Sequence, residues 1–337
     1  MTAKHKIILR TLSILLASST MLGPLPAAVS ATTVQQAPRH QSDFAESLNQ
    51  MADAIAEQYP IEATAQKVAN ALRDGLASGT IETSDQDAFL KSTNKILWDT
   101  AHDLHLRLST QEAIQKRVRR SGGKGVPTMR RVSRTAGSGP LGTTKIAGEM
   151  LNDTVGLITI SSAIYRNPEL FADALKLVRN ANSIVIDLRG VPGGTVPGVR
   201  YFLSQFYNER THLYSNVSRN FDEPREIWTE DTPVSENFNN TKLYILTSKR
   251  TASGAEAISF GLKNTGRATL IGEKTAGAGN GGAFLSVGSD LMLFLPTMQT
   301  ISATTGKPWE GTGVVPHFEA AADDALTRAL NVIEGGA

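Results

Sequence analysis

The spacing of apolar residues divides the chain into a helical first part and a later part in which helix and strand alternate. From Asp43 to about Ala77, the residues Leu48, Met51, Ile55, Ala65, Val68 and Leu72 recur at helical spacing. Gln58-Tyr59-Pro60 interrupts the run, because proline disfavours helix in the residue before it, so two helices are expected here. A third is predicted from Ser84 to about Leu104, with Phe89, Ile96 and Leu97 on its inner face. Together they read as a small N-terminal helical domain over 43–110, closed by Asp103-Leu104-His105-Leu106-Arg107-Leu108.

Residues 116–142 break the pattern, since KRVRRSGGKGVPTMRRVSRTAGSGPLG is rich in Lys, Arg, Gly and Ser. That composition predicts a basic linker or surface hairpin over 111–143, solvated or serving to attract acidic partners. Beyond it, Thr154 to Ile160 reads as a strand and Asn167 to Asn180 as a helix. Ser183 to Leu188 is a short, continuous apolar strand, and a helix from Val196 to about Phe206 follows. Leu243 to Leu246, a helix behind Ser253, and Ala268 to Gly272 repeat the alternation, with Leu291 to Leu295 as a late strand. Strands joined by helical crossovers imply parallel pairing, so the expected fold class is α/β, a parallel-sheet core with flanking helices over 144–335. Residues 208–241 show no clear period and read as an excursion over the surface.

The N-terminus changes the picture. Lys4, Lys6 and Arg10 precede an apolar run from Thr11 to Ala28, followed by the small residues Val29-Ser30-Ala31. This is the layout of a secretory signal peptide over 1–31, with a polar lead-in over 32–42. The expected mature protein is exported, to the periplasm or outside the cell, and holds no stable membrane anchor after cleavage. Hydrophobic residues at 40% and charged residues at 20% describe a globular chain. A formal net charge of +2 gives no reason to expect nucleic acid, and the lack of cysteine excludes disulfides, thiol chemistry and cysteine-ligated metal.

Candidate chemistry centres on Thr247 to Gly266. Ser253 lies between the end of an apolar strand and the start of a helix, where it either caps the helix or stands as a nucleophile beside outward-pointing amides. A nucleophilic serine needs a base, an orienting group and oxyanion donors. His105 is the best placed of six histidines, where the helical domain meets the rest, although a structural histidine is the commoner case. His102 lies three residues from His105 without a further ligand cluster, so no metal or other cofactor is expected. The glycine turn Arg189-Gly190-Val191-Pro192-Gly193-Gly194 follows a predicted parallel strand and can offer amides at its carboxyl end, or it is an ordinary turn. It has neither P-loop nor dinucleotide spacing. Glu310, in Trp309-Glu310-Gly311-Thr312-Gly313, can orient a histidine or sit exposed on a turn.

Taken together, DLHL at 103–106, IVIDLRGVPGG, TASGAE with GRATLIGEKTAG, and EGTGVVPH resemble, in order, the motifs of the S41 serine peptidases. That family includes C-terminal processing proteases, tricorn core proteases and interphotoreceptor retinoid-binding modules. The resemblance spans roughly 85–320 and implies a ClpP/crotonase-like core. Processing proteases of the family use a Ser/Lys dyad, but the corresponding position here is Ala278, and Lys274 lies earlier in the turn. The likeness therefore leans toward the tricorn and retinoid-binding branch, in which a histidine of the DxH motif is the base. Carried over, it implies Ser253 as nucleophile, His105 as base and Glu310 as orienter, with the amides of Gly193 and Gly254 as oxyanion hole. Val191 and His317 stand where the family has asparagine and aspartate. The expectation is an exported serine peptidase acting on extended polypeptides. The alternatives are a non-catalytic hydrophobic-ligand or peptide-binding module on the same scaffold, and a Ser/Lys enzyme using Lys274.

Overall fold

The computed structural model describes residues 41–120, 144–230, 238, 240–288 and 290–335, all within one compact unit, Arg39–Ala337. The expected signal peptide, most of the lead-in, and 121–143 of the basic stretch lie outside the described residues.

Three helices open the fold: α1 (Gln41–Gln58), α2 (Glu62–Ala77) and α3 (Gln86–Ala101). The α1/α2 break falls at Tyr59-Pro60, as the proline dictates, and Asp85 caps α3 by accepting from the Ala88 amide at 2.8 Å. His102 ends α3 in the left-handed conformation, φ 50°, and turns the chain toward β1 (Arg107–Thr110). α4 (Gln111–Arg120) then forms where a linker was expected, followed by β2 (Ile146–Met150) and β3 (Val155–Ile160).

Next come α5 (Pro168–Leu177), β4 (Ser183–Asp187) and α6 (Val196–Ser204). The stretch expected to be irregular contains β5 (His212–Val217) and β6 (Arg225–Trp228). The chain continues through β7 (Lys242–Thr247), α7 (Gly254–Asn264), β8 (Ala268–Gly272), β9 (Asn280–Ser286), β10 (Leu291–Ser302), β11 (Phe318–Glu319) and α8 (Ala325–Ile333).

The strands form two sheets. The larger has the order β11-β8-β7-β4-β3-β2, parallel except for the edge strand β2. Its inner strands read as continuous apolar runs because both faces are covered. Ile184, Ile186, Ile245 and Leu270 face α5, α6 and α7 through Phe171, Phe202 and Ile258. The alternate residues Val185, Tyr244, Leu246 and Ile271 face Ala325 and Ala329 of α8. The expected α/β architecture is therefore present, with every crossover strand ending at the same edge, where sites collect in such sheets.

The smaller sheet is antiparallel, in the order β1-β10-β5-β6 with β9 also on β10. One face of it, Leu106, Leu108, Leu285, Leu291, Leu293 and Leu295, packs into the helical core of Phe44, Leu48, Met51, Leu72, Phe89 and Leu97. Fully burying each such side chain contributes about 1.5–3 kcal/mol, so the segment after α3 is firmly seated.

Candidate active site

Strand β7 delivers the chain to Ser253 at φ 53° and ψ −119°, one of two non-glycine residues with positive φ among those described. A serine in that region is strained by about 1–3 kcal/mol, and such strain persists only where the surroundings impose it. The turn is tied on all sides. Ser248 Oγ donates to Arg189 O (2.6 Å), Thr251 Oγ1 to Leu188 O (2.9 Å), and the Ala252 amide to Val191 O (3.2 Å). Val191 thus serves through its backbone, with its side chain fully buried.

The glycine turn interlocks with this one. A Cβ on Gly193, whose φ is 142°, would lie 3.0 Å from Ser253 Cβ and 3.4 Å from its Oγ. A Cβ on Gly254 would lie 2.6 Å from the Gly194 nitrogen. Only glycine allows the two backbones so close. Among the described residues, neither the Gly193 nor the Gly254 amide donates to a protein acceptor.

Glu256, in the first turn of α7, was not anticipated. It is fully buried and accepts four hydrogen bonds: from the Ser253 amide (2.9 Å), Thr275 Oγ1 (2.5 Å), the Gly277 amide (2.7 Å) and the Ala278 amide (2.8 Å). The signal was available as Ser253-Gly254-Ala255-Glu256, the spacing of a capping box, in which the third residue of the helix reaches back to the cap amide.

Glu310 holds the other half of the same turn. Its Oε2 accepts from the Gly279 and Asn280 amides, each at 2.6 Å. Four consecutive amides, 277 to 280, are thereby divided between two carboxylates. Glu310 Oε1 is buried and has no partner. Burial first, then the charge of Asp103, pushes the Glu310 carboxyl up to about 8, against the pull of the two amides.

His105 follows from Asp103. Asp103 Oδ1 accepts from the His105 amide (2.8 Å) and the Leu106 amide (3.3 Å), which sets the turn out of α3. Its Oδ2 accepts from Tyr59 Oη (2.9 Å) and Asn280 Nδ2 (2.8 Å). Burial and the neighbouring carboxylate push the Tyr59 hydroxyl up, so it remains a donor. The His105 ring stacks on Phe294 with centroids 5.2 Å apart, and its Nδ1 is buried without a partner. Burial lowers the His105 pKa, with the Asp103 charge opposing.

Asp103, His105 and Glu310 each offer a ligand atom, and these atoms lie within 4.8 Å of one another. Both Asp103 oxygens already accept two hydrogen bonds, as does Glu310 Oε2, leaving the His105 ring and Glu310 Oε1 as the spare ligands in this trio. Two ligands fall short of the three or four that protein zinc sites use, so the donor set does not fit a dedicated metal site.

The structure therefore gathers the sequence-expected residues into two groups, Ser253 with Gly193 and Gly254, and His105 with Glu310. The turn 275–280 joins them. No hydrogen bond links His105 to Ser253. Lys274 is exposed and Ala278 buried, so neither supplies a buried ammonium. His317 uses Nδ1 to accept from the Leu270 amide (2.9 Å), a structural clasp on β8.

Comparison with known proteins finds relatives of this core. Residues 154–320 match Peptidase family S41. Carboxy-terminal processing protease CtpB of Bacillus subtilis (strain 168) is 30% identical over 131 residues, 37% of this chain and 26% of that protein. The carboxyl-terminal-processing protease of Picosynechococcus sp. (strain ATCC 27264 / PCC 7002 / PR-6) is 31% identical over 101 residues, 30% of this chain and 23% of that protein. The chain thus spans about a quarter of the length of these curated relatives. A lipoprotein structure from Streptococcus agalactiae superposes with a TM-score of 0.59 at 15% identity, covering 89% of this chain and 98% of the other. At that identity the likeness speaks for the fold alone, and it agrees with the two-sheet architecture described above.

Proposed function

We propose that this S41 core is an exported serine peptidase that hydrolyses extended polypeptides through an acyl-enzyme. Ser253 Oγ attacks the peptide carbonyl carbon while His105 Nε2 takes its proton. The amides of Gly193 and Gly254 donate to the resulting oxyanion, and Glu310 Oε1 accepts from His105 Nδ1 and stabilises the imidazolium. Collapse of the tetrahedral intermediate breaks the C–N bond, and the departing amine leaves with the proton from His105. Water then attacks the ester by the same route and frees Ser253.

The observation that carries this reading is complementary vacancy. His105 Nδ1 and Glu310 Oε1 are both buried and unpartnered, and their residues lie in one cluster, so a small closure that brings the two atoms into hydrogen-bond reach would let a single proton satisfy both. Ser253 is held in a strained conformation between two uncommitted glycine amides. Substrate binding must bring His105 Nε2 to Ser253 Oγ, in keeping with catalytic hydrogen bonds that tighten only in the complex. The buried alanine at 278 favours a histidine-served serine over the Ser/Lys dyad. The basic signal-like N-terminus supports export, and among the described residues no helix is long and apolar enough to cross a membrane.

The missing His105–Ser253 hydrogen bond is the one feature that favours a non-catalytic peptide-binding module. Fluorophosphonate labelling separates the two. Wild-type protein should label at Ser253 and cleave unfolded polypeptide, and Ser253→Ala should do neither while keeping its circular dichroism. Cleavage retained by Ser253→Ala would sink the assignment.

A further inference from the structure

The sheet face that carries His105 also carries two partly exposed phenylalanines. Phe294 in β10 stacks on the His105 ring, and its cross-strand partner Phe284 in β9 meets it edge-on, with centroids 5.1 Å apart and planes at 88°. The alternate residues Leu285, Leu293 and Leu295 belong to the helical core. Side chains alternate along strands, so both phenyl rings lie on the opposite face, in a row that ends at the base.

Strand β9 is also an edge. Phe294 pairs with Arg107 on one side and Phe284 on the other, and Gln299 pairs with Val217 and Asn280. β1 and β5 therefore share one side of β10, and β9 has the other to itself. Among the described residues no strand pairs with the outer edge of β9. That edge starts at Asn280, whose amide is held by Glu310, and continues through Gly281 and Gly282, which add no side chains beside the site. An unpaired edge is a template for an extended chain, and main-chain pairing there fixes which substrate side chains face the sheet's open surface.

Resting on the peptidase reading above, we propose that β9 receives the substrate as an added strand and that Phe284 and Phe294 read one bulky apolar side chain of it. The substrate class is then extended polypeptide bearing Phe, Leu or Met at one fixed position relative to the cleaved bond. The aromatic row gives the preference, and the continuity of that row with His105 fixes the position near the scissile bond.

The test uses the full-length Ser253→Ala protein, so that binding is read apart from chemistry. Fluorescent ten-residue peptides carrying Phe, Leu, Ala or Lys at each position in turn are titrated by anisotropy. One position should favour Phe or Leu over Ala by at least about tenfold, the scale on which apolar pockets discriminate. Phe284→Ala should shrink that ratio to below about threefold. Methylating alternate backbone nitrogens of the peptide blocks strand pairing without altering the protein, and should abolish binding in one register only. Equal affinity for Phe and Ala at every position, or indifference to methylation, overturns the proposal. Labelling of wild-type Ser253, measured alongside, tests the hydrolase reading separately, so failure of one is not mistaken for failure of the other.

Discussion

Replacing Glu310 by Gln should separate the stability of the site from its activity as pH changes. The wild-type carboxyl rises from an ordinary 4.5 to about 8, chiefly through burial and then through the Asp103 charge. A raised acid binds its proton more tightly in the folded than in the unfolded state. Its stabilisation is therefore complete below 4.5 and is lost as pH rises through about 8. At about 1.4 kcal/mol per unit the ceiling is about 5 kcal/mol, of which roughly 3 kcal/mol falls between pH 6 and 9. At about 2–4 °C per kcal/mol, wild-type Tm should drop by roughly 6–12 °C across that window relative to Glu310→Gln. The amide carries no charge at any of these pH values. Its carbonyl can still accept from the Gly279 and Asn280 amides, and its NH2 can donate to His105 Nδ1. Activity should move the other way, because Glu310 must be ionised to stabilise imidazolium. The rate of Ser253 labelling should climb about tenfold per pH unit up to about 8 and then level, while Glu310→Gln loses the climb and about 10²–10⁴ of the rate. Parallel Tm curves for the two proteins, or a flat wild-type labelling profile, would refute the argument.

Three further outcomes follow from the same contacts. Gly193→Ala places a Cβ 3.0 Å from Ser253 Cβ at a φ of 142°; it should cost about 1–3 kcal/mol of stability and about 10²–10³ in kcat, read by thermal melts and peptide hydrolysis. Glu256→Gln puts an NH2 where two donors require an acceptor, so it should destabilise by about 2–6 kcal/mol in urea unfolding and slow Ser253 labelling. An unchanged midpoint would remove Glu256 from its assigned role. Tyr59→Phe deletes one of four donors to Asp103 and should cost about 1.5–3 kcal/mol by the same measurement, with His105 still in place.

Much of the α/β core could be read from the sequence because its strands are covered on both faces. SIVID and KLYILT are continuous apolar runs for that reason, and the helices between them keep one apolar stripe. The antiparallel sheet was harder. β5 contains Ser215 and Asn216, polar yet buried, and Asn216 is satisfied only by a distant strand, where its Oδ1 accepts from Thr300 Oγ1 at 2.9 Å. β9 reads Asn-Gly-Gly-Ala-Phe-Leu-Ser, with glycines that argue against a strand; pairing with β10 overrides that local preference. In the site, Ser253, His105 and Glu310 stood out through family order. Glu256 shows in the sequence only as capping-box spacing and Asp103 only as part of the DxH motif, because their other partners, Thr275 and the amides of 277 and 278 for Glu256, Tyr59 and Asn280 for Asp103, lie far along the chain.

The turn between β8 and β9 also acts as a ruler. Its four consecutive amides run from the acid beneath the nucleophile to the acid beside the base, so their spacing is set by the fixed 3.8 Å step of the chain. Side-chain changes leave that step untouched, whereas inserting or deleting one residue moves every amide off its carboxylate at once. Length, more than composition, is therefore what this turn has to keep, and any redesign of the protein should treat its residue count as invariant.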